Sequence, residues 1–376
     1  MIVVAGEALV DLVVSPGGQV DARPGGSPYN AARSLARLGV ETTFLGRLAR
    51  DGLGRLLRDR LAAEGVAIGV PEPSTRPSTL AVATLDQAGS ADYAFYLDGT
   101  AGADLDYGAL KRALPADATA VHVGDLGLVM EPVGAAIERL IRSDVPAGTL
   151  VLFDPNCRPS AVTDHEAYRR RVGVIARRAD IVKASTEDLA YLYPDLPPEE
   201  AAQALLDGGP SLVLITDGPR PARAYLPDSV LTEEIPSVTV VDTIGAGDAF
   251  GGGFLAWWTA HGLGKADLTR PGPVRDAPAR DAPARDAPAC DASVRDAPTR
   301  RTVARGTLTD DASARGTLAR DPSARGTLAH DAPTRDALVG QALRAAVGAA
   351  ALTCTRPGAD PPTLAELRSR NWWPEA

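Results

Sequence analysis

Asp242-Thr243-Ile244-Gly245-Ala246-Gly247-Asp248-Ala249-Phe250 lies between a β-branched run, Val238 to Val241, and a largely apolar segment, Ala249 to Ala260. The run reads as a buried strand and the segment as three turns of helix. Gly245 and Gly247 flank a single alanine, so no bulky side chain shields the backbone amides. A strand, a small-residue turn and a helix start gather free N–H groups and the positive end of a helix dipole at one point, which suits a phosphate oxygen. Asp248 falls in the first helical turn beside that point. A carboxylate there repels phosphate unless it serves to accept the proton of an attacking hydroxyl. The pattern therefore points to phosphoryl transfer with Asp248 as general base and the amides of Gly245, Ala246 and Gly247 as a charge-stabilising cradle. The plainer alternative is an ordinary glycine-rich turn in which Asp248 compensates the dipole. The stretch is neither a GxGxxG fingerprint nor a Walker loop, since no Gly-Lys-Ser/Thr follows.

The 376 residues suffice for one large domain or two small ones. A net charge of −9 offers no basic face to nucleic acid or anionic lipid. Cys157, Cys290 and Cys354 lack CxxC or metal-like spacing, which points to reduced thiols and a cytoplasmic setting. The apolar start, Ile2 to Val14, is broken by Glu7 and Asp11 and has no basic flank, so it reads as a strand rather than a signal peptide. No apolar run reaches the roughly 18 residues that span a membrane.

Along the chain, Ile2 to Gly6 is a first strand, and Asp11 interrupts the apolar stretch after it, facing either solvent or a polar cleft. Pro24-Gly25-Gly26-Ser27-Pro28-Tyr29-Asn30 leads into an amphipathic helix closed by Gly39. There Gly25 and Gly26 expose amides, and Asn30 offers the paired donor and acceptor that polyol hydroxyls need. Thr79 to Leu85 and Ala91 to Tyr96 alternate as a hairpin. Phe95 and Tyr96 either cover the apolar face of a ring-shaped ligand or pack the hairpin itself. From Ala118 the chain alternates strand and helix, the pattern of a doubly wound, mostly parallel α/β sheet. The strands Ala120–Val123, Leu150–Phe153, Ile181–Lys183, Leu212–Thr216 and Val238–Val241 each run into polar or glycine residues at their C-terminal ends. Ligands of such sheets bind outside those ends, which marks this edge as the site.

Two strings in register, Gly25-Gly26-Ser27-Pro28-Tyr29-Asn30-Ala31 and the Asp242–Phe250 stretch, resemble the paired signatures of ribokinase-like (PfkB) sugar kinases. The resemblance implies one kinase domain with a small β-lid from residues 10–24 and 79–100, which excludes water from the transfer. It implies ATP and Mg²⁺ as cofactors, a small-molecule sugar as substrate, and a homodimer formed through the lid. Asp11, Gly25, Gly26 and Asn30 would hold the sugar, with Phe95 over it. Asp154-Pro155-Asn156-Cys157-Arg158-Pro159 is similar to a string of the fructokinase and ketodeoxygluconate kinase branches. It would bring Asn156 and Arg158 to the substrate; a surface ion pair is the alternative for Arg158. Lys183 and Ser185 fall at the family's Asn-x-x-Glu motif, with Ser185 in place of Asn. Asp188 or Glu187 would then hold Mg²⁺, the shorter Asp188 through a coordinated water. Thr216 and Gly218 begin a nucleotide loop whose second glycine is replaced by Pro221. Asp242 and Thr243 lie where many members bind a monovalent cation, so K⁺ is expected there.

From about Pro271 to Asp336 the sequence repeats RDAPA-like units and then Arg-Gly-Thr-Leu, with no aromatic residue and few large apolar ones. Such composition predicts a disordered insertion over 271–336. Ala337 to Thr353 then reads as a small-residue helix, and Gly358 and Ala359 resemble the tail that walls the family's adenine pocket. The expected reaction is transfer of the ATP γ-phosphoryl group to a primary hydroxyl, with fructose as acceptor. Ketodeoxygluconate kinase, nucleoside kinase and a non-catalytic sensor of sugar or nucleotide are the alternatives.

Overall fold

In the computed structural model of the chain, residues 1–86, 91–269 and 333–375 are described. Their strands are β1 (Ile2–Ala5), β2 (Leu9–Val14), β3 (Val20–Gly25), β4 (Thr42–Leu45), β5 (Ala67–Ile68), β6 (Leu80–Leu85) and β7 (Ala91–Tyr96). The second half adds β8 (Ala120–Gly124), β9 (Leu150–Asp154), β10 (Ile181–Ser185), β11 (Leu212–Asp217), β12 (Arg220–Leu226) and β13 (Ser229–Glu233). The helices are α1 (Ser27–Arg37), α2 (Gly52–Ala63), α3 (Tyr107–Ala113), α4 (Val133–Ser143), α5 (His165–Arg178) and α6 (Thr186–Leu192). They continue with α7 (Pro198–Asp207), α8 (Ala246–Ala260), α9 (Lys265–Leu268), α10 (Arg335–Thr353) and α11 (Leu364–Ser369).

The main sheet runs β13-β12-β11-β10-β9-β8-β1-β4-β5, parallel from β11 to β5 and antiparallel only at the β12 and β13 end. Its central strands are apolar on both sides because helices cover both faces. Val3, Val121, Val151, Val182 and Val213 point to the face carrying α3, α4, α5 and α7. Their neighbours Ile2, Ala120, Leu150, Ile181 and Leu212 point to the face carrying α1, α2, α8 and α10. Because β11 to β5 all run parallel, the carboxyl ends of these strands lie along a single edge.

A second sheet, β3-β2-β6-β7, stands apart from that edge, with β2 and β6 parallel and the outer pairs antiparallel. It is the β-lid expected from 10–24 and 79–100, and it fits the mixed α/β, ribokinase-like topology.

Two expectations need correction. Val238–Val241 is not a strand: the main sheet ends at β13, and Val240 and Val241 are 60% and 59% exposed. The run's amides turn to the end of α10 instead, where Val241 N and Asp242 N both donate to Cys354 O. Of the run's side chains, Val238 and Val240 line the cleft. The expected insertion also extended too far. Residues 270–332 lie outside the described residues, but 333–336 are ordered structure: Thr334 caps α10 through a bond from Ala337 N, and Arg335 is buried and paired with Asp228 and Asp336. No helix among the described residues is long and apolar enough to cross a membrane.

Candidate active site

The glycine turn opens α8 with Gly245 as its cap, at φ 78°, a left-handed conformation that a side chain disfavours. A side chain there would also strike Ala359, its Cβ lying 2.5 Å from that of Ala359. Ala246 N is turned to Thr243 O at 3.2 Å, so it is withdrawn from the expected cradle. The N–H groups of Gly245 and Gly247 meet no protein acceptor among the described residues. Lys183, from the end of β10, lies directly beneath, its Nζ 3.0 Å from where a side chain at Gly247 would begin. What the turn offers an anion is thus two amides, the α8 dipole and one buried ammonium.

Asp248 is buried in the first turn of α8 and aims both carboxylate oxygens at α1. Ser27 Oγ donates to Oδ1 at 2.6 Å, and Asn30 Nδ2 donates to Oδ2 at 2.9 Å. Ser27 and Asn30 are three residues apart on one helix and so share a face. The two glycine signatures, more than two hundred residues apart in sequence, therefore meet at this carboxylate. Burial pushes Asp248 above the usual carboxylate range, against the pull of the Ser27 and Asn30 hydrogen bonds. A carboxylate made more basic in this way is a better proton acceptor.

Around it opens a cleft of about 1040 Å³, large enough for a nucleotide and a small second substrate. One end is lined by Asp11, Gly26, Ser27, Asn30, Phe95, Asp125, Asn156 and Arg158. Gly25 stands behind this end rather than in it; it has no side chain because Asp11 Oδ2 lies 2.1 Å from where one would start. Asp11 rises to about 6, chiefly by burial and then by the Asp125 charge. On β7, Phe95 and Tyr93 point into the cleft with their rings stacked 6.2 Å apart, while Tyr96 is 58% exposed and does not line it. Arg158 Nε approaches Asp125 Oδ1 at 3.5 Å; both residues line the cleft, Asp125 buried and the Arg158 side chain 44% exposed.

The other end is lined by Lys183, Ser185, Thr216, Gly218, Ile235, Pro236, Val238, Val240, Thr243, Val347, Ala350, Ala351 and Cys354. Its apolar part lies between the Ile235–Val240 loop and small residues of α10. Gly358 and Ala359 do not line it. Gly358 N donates to Asp242 Oδ2 at 2.8 Å and Arg33 Nη1 donates to Ala359 O at 2.8 Å, so this tail braces the turn from behind.

The residues expected to hold metals are placed differently from that expectation. Asp188 is buried and engaged: Oδ1 accepts from Cys157 N at 2.6 Å, and Oδ2 accepts from Ser185 N at 2.7 Å and Ser185 Oγ at 2.8 Å. Ser185 and Asp188 form the capping box of α6, a structural use of both side chains. Glu187 faces solvent, and neither carboxylate lines the cleft. Asp242 is likewise engaged, by Ile244 N at 3.0 Å and Gly358 N at 2.8 Å, with Arg23 Nη1 3.5 Å away. A carboxylate already bonded to two amides and facing a guanidinium is a poor K⁺ ligand, and Thr243 beside it is exposed. No cluster of three or more acidic, His or Cys side chains suited to a metal exists among the described residues. Mg²⁺ fits here only as an ion carried on nucleotide phosphates and water, a mode it favours.

Several groups were not given roles from sequence. Ser27 was readable as the i−3 neighbour of Asn30. Asp125 and Asp154 were visible only as polar strand ends, and Glu7 only as a break in an apolar run. Asp154 bonds Lys183 Nζ at 2.9 Å, both buried; burial pushes Asp154 up to about 7 despite that ammonium. His122, in the neighbouring strand, is driven down to about 3 by burial and then by Lys183, and is neutral.

A family profile described as pfkB family carbohydrate kinase matches residues 1–270. A fructokinase from Rhizobium leguminosarum bv. trifolii is 37% identical over 260 residues, 68% of this chain and 79% of that protein. The crystal structure of a Xylella fastidiosa fructokinase with bound ATP aligns at TM-score 0.72 and 25% identity, covering 98% of this chain and 97% of its own. An aminoimidazole riboside kinase from Salmonella enterica aligns at TM-score 0.61 and 27% identity, over 71% of this chain and 87% of its own.

Proposed function

Because this chain belongs to the pfkB family of carbohydrate kinases, we propose that it transfers the γ-phosphoryl group of ATP to a primary hydroxyl of fructose. The observation that carries this reading is the single carboxylate of Asp248, held by Ser27 and Asn30 between the polar end of the cleft and the free amides of Gly245 and Gly247. In the proposed reaction the acceptor hydroxyl approaches Asp248 and passes it a proton as its oxygen attacks phosphorus. Negative charge spreading over the transferring phosphoryl oxygens meets the Gly245 and Gly247 N–H groups, the α8 dipole and Lys183. Adenine occupies the slot between Val240 and Ala351. Mg²⁺ on the phosphates would supply further charge neutralisation.

Fructose is favoured over ketodeoxygluconate by charge. Asp11, Asp125 and Asp248 face the sugar end, against the one guanidinium of Arg158, which Asp125 already holds. An added substrate carboxylate would meet net repulsion there, whereas neutral hydroxyls find acceptors.

ADP release coupled to NADH oxidation, run with fructose, ketodeoxygluconate, ribose and adenosine and Mg-ATP, tests this. The expected result is the highest kcat/KM with fructose. A higher value with ketodeoxygluconate overturns the charge argument. No turnover on any of them, with fructose and ATP still binding by calorimetry, overturns catalysis in favour of a sensor.

A further inference from the structure

Glu7 follows β1 and has no exposed surface, with Gly26, Gly102 and Gly127 packed against it. Its Oε2 accepts from Gly127 N at 2.7 Å, but its buried Oε1 has no partner. Asp125, just past β8, is in the same condition. Its Oδ2 accepts from Ser27 N at 3.3 Å, while its buried Oδ1 has no hydrogen bond, only Arg158 Nε at 3.5 Å. Glu7 Oε1 packs against Gly26, and the next residue, Ser27, donates its N–H to Asp125, so the two acids are neighbours around one turn and each acts on the other's charge. With both ionised, two buried charges abut and two buried oxygens stay unpaired, each a costly state. One proton on the pair removes a charge and turns a bare buried oxygen into a donor. Arg158 supports a negative Asp125, and no cation pairs with Glu7 among the described residues. The proton therefore belongs on Glu7.

We propose that Glu7 is a positioning residue that keeps a proton in the working protein and donates it to Asp125, fixing that carboxylate against Ser27 and Arg158 where the sugar binds. This rests on the reading of that end of the cleft as the sugar end; the first test below does not. Burial, and after it the Asp125 charge, lifts Glu7 well above the usual carboxylate range. Asp125 itself rises to about 6, chiefly by burial, with Arg158 opposing and Asp248 adding to the shift. The Asp125 charge also raises Asp11 and Tyr168, so both belong to the same electrostatic neighbourhood.

Glu7→Gln keeps the shape, still accepts from Gly127 and still donates to Asp125, but cannot titrate. In the unfolded chain Glu7 ionises near 4.5. A native state that retains the proton loses stability relative to E7Q as pH rises above that value, by up to about tenfold in the unfolding constant per pH unit, until Glu7 ionises in the native state too. The stability difference between E7Q and wild type, from urea denaturation at about pH 5 to 8, is thus expected to grow in favour of E7Q. A difference that stays flat over that range overturns the proposal, whatever the substrate is. The kinetic arm adds Glu7→Met, which has no donor. E7Q should keep the fructose KM within about twofold, whereas E7M should raise it about tenfold or more with a smaller change in kcat. Equal impairment of the two folded variants overturns the positioning role. Inactivity of the wild type on every sugar tried would refute the kinase reading while the urea series still decides where the proton sits.

Discussion

Asp248→Asn isolates the proposed proton acceptor with little structural disturbance. The new amide oxygen can still accept from Ser27 Oγ, now at 2.6 Å from Asp248. Its amide nitrogen would oppose Asn30 Nδ2, which now donates at 2.9 Å, but the Asn30 side chain can rotate half a turn. Asn30 Oδ1 is buried without a partner, so the rotated amide gains an acceptor contact rather than losing one. The hydrogen-bond count around position 248 therefore survives, and only the negative charge and the proton-accepting capacity go. General-base assistance is worth about 10²–10⁴ in rate, or about 3–5 kcal/mol of barrier. kcat on the preferred sugar should fall by that factor. ATP affinity should hold within a few-fold, because the phosphate contacts at Gly245, Gly247 and Lys183 remain.

The same substitution has a stability signature of known sign. Burial raises Asp248 in the native state, so the wild type loses stability as pH climbs from the ordinary aspartate range through the native value. D248N lacks that penalty. Its melting temperature should exceed that of the wild type at neutral pH, and the advantage should shrink as pH falls toward about 4. The assays are coupled ADP release for kcat, calorimetry for ATP and thermal melts at several pH values. A kcat within tenfold of the wild type would remove Asp248 from the mechanism. A lost kcat accompanied by lost ATP binding would place it in nucleotide binding instead.

Lys183→Met breaks a buried pair, an event that costs about 3–5 kcal/mol when the orphaned charge stays ionised. Asp154 already stands near 7 with the ammonium beside it, so without Lys183 it takes up a proton instead. The loss by urea denaturation should then be larger at pH 8 than at pH 6, and a pH-independent loss would contradict this. Replacing residues 271–332 with a short linker should leave kcat and melting temperature near those of the wild type. Extending the deletion through Asp336 removes the Thr334 cap, worth about 1 kcal/mol, and the buried Arg335, and should lower the melting temperature. Equal melting of the two deletions would show that α10 does not depend on its first turn.

The legible parts of this chain were those in which a residue's own backbone environment sets its use. The alternation of strands and helices, the lid hairpin and the two glycine turns follow from local period and from the absence of side chains, and the structure keeps them. Val238–Val241 misled because β-branched content favours an extended backbone without supplying a sheet partner. Here Val238 and Val240 line the cleft, 239–241 are exposed, and the Val241 and Asp242 amides bond to the end of α10. Asp188 misled for a related reason: a carboxylate three residues after a serine at a helix start serves equally as a metal ligand or as half of a capping box. Only the distances to Ser185 and Cys157 tell which. Glu7 and Asp125 were illegible singly. A lone acid in an apolar run is most simply read as facing solvent, and that inference is sound for one residue. It fails for two acids brought together by parallel neighbours β1 and β8, because burial then acts on the pair and a shared proton becomes the least costly way to keep both inside. What the sequence withholds is thus which polar groups face each other across the sheet edge, and that pairing is where the acid–base chemistry of this cleft is set.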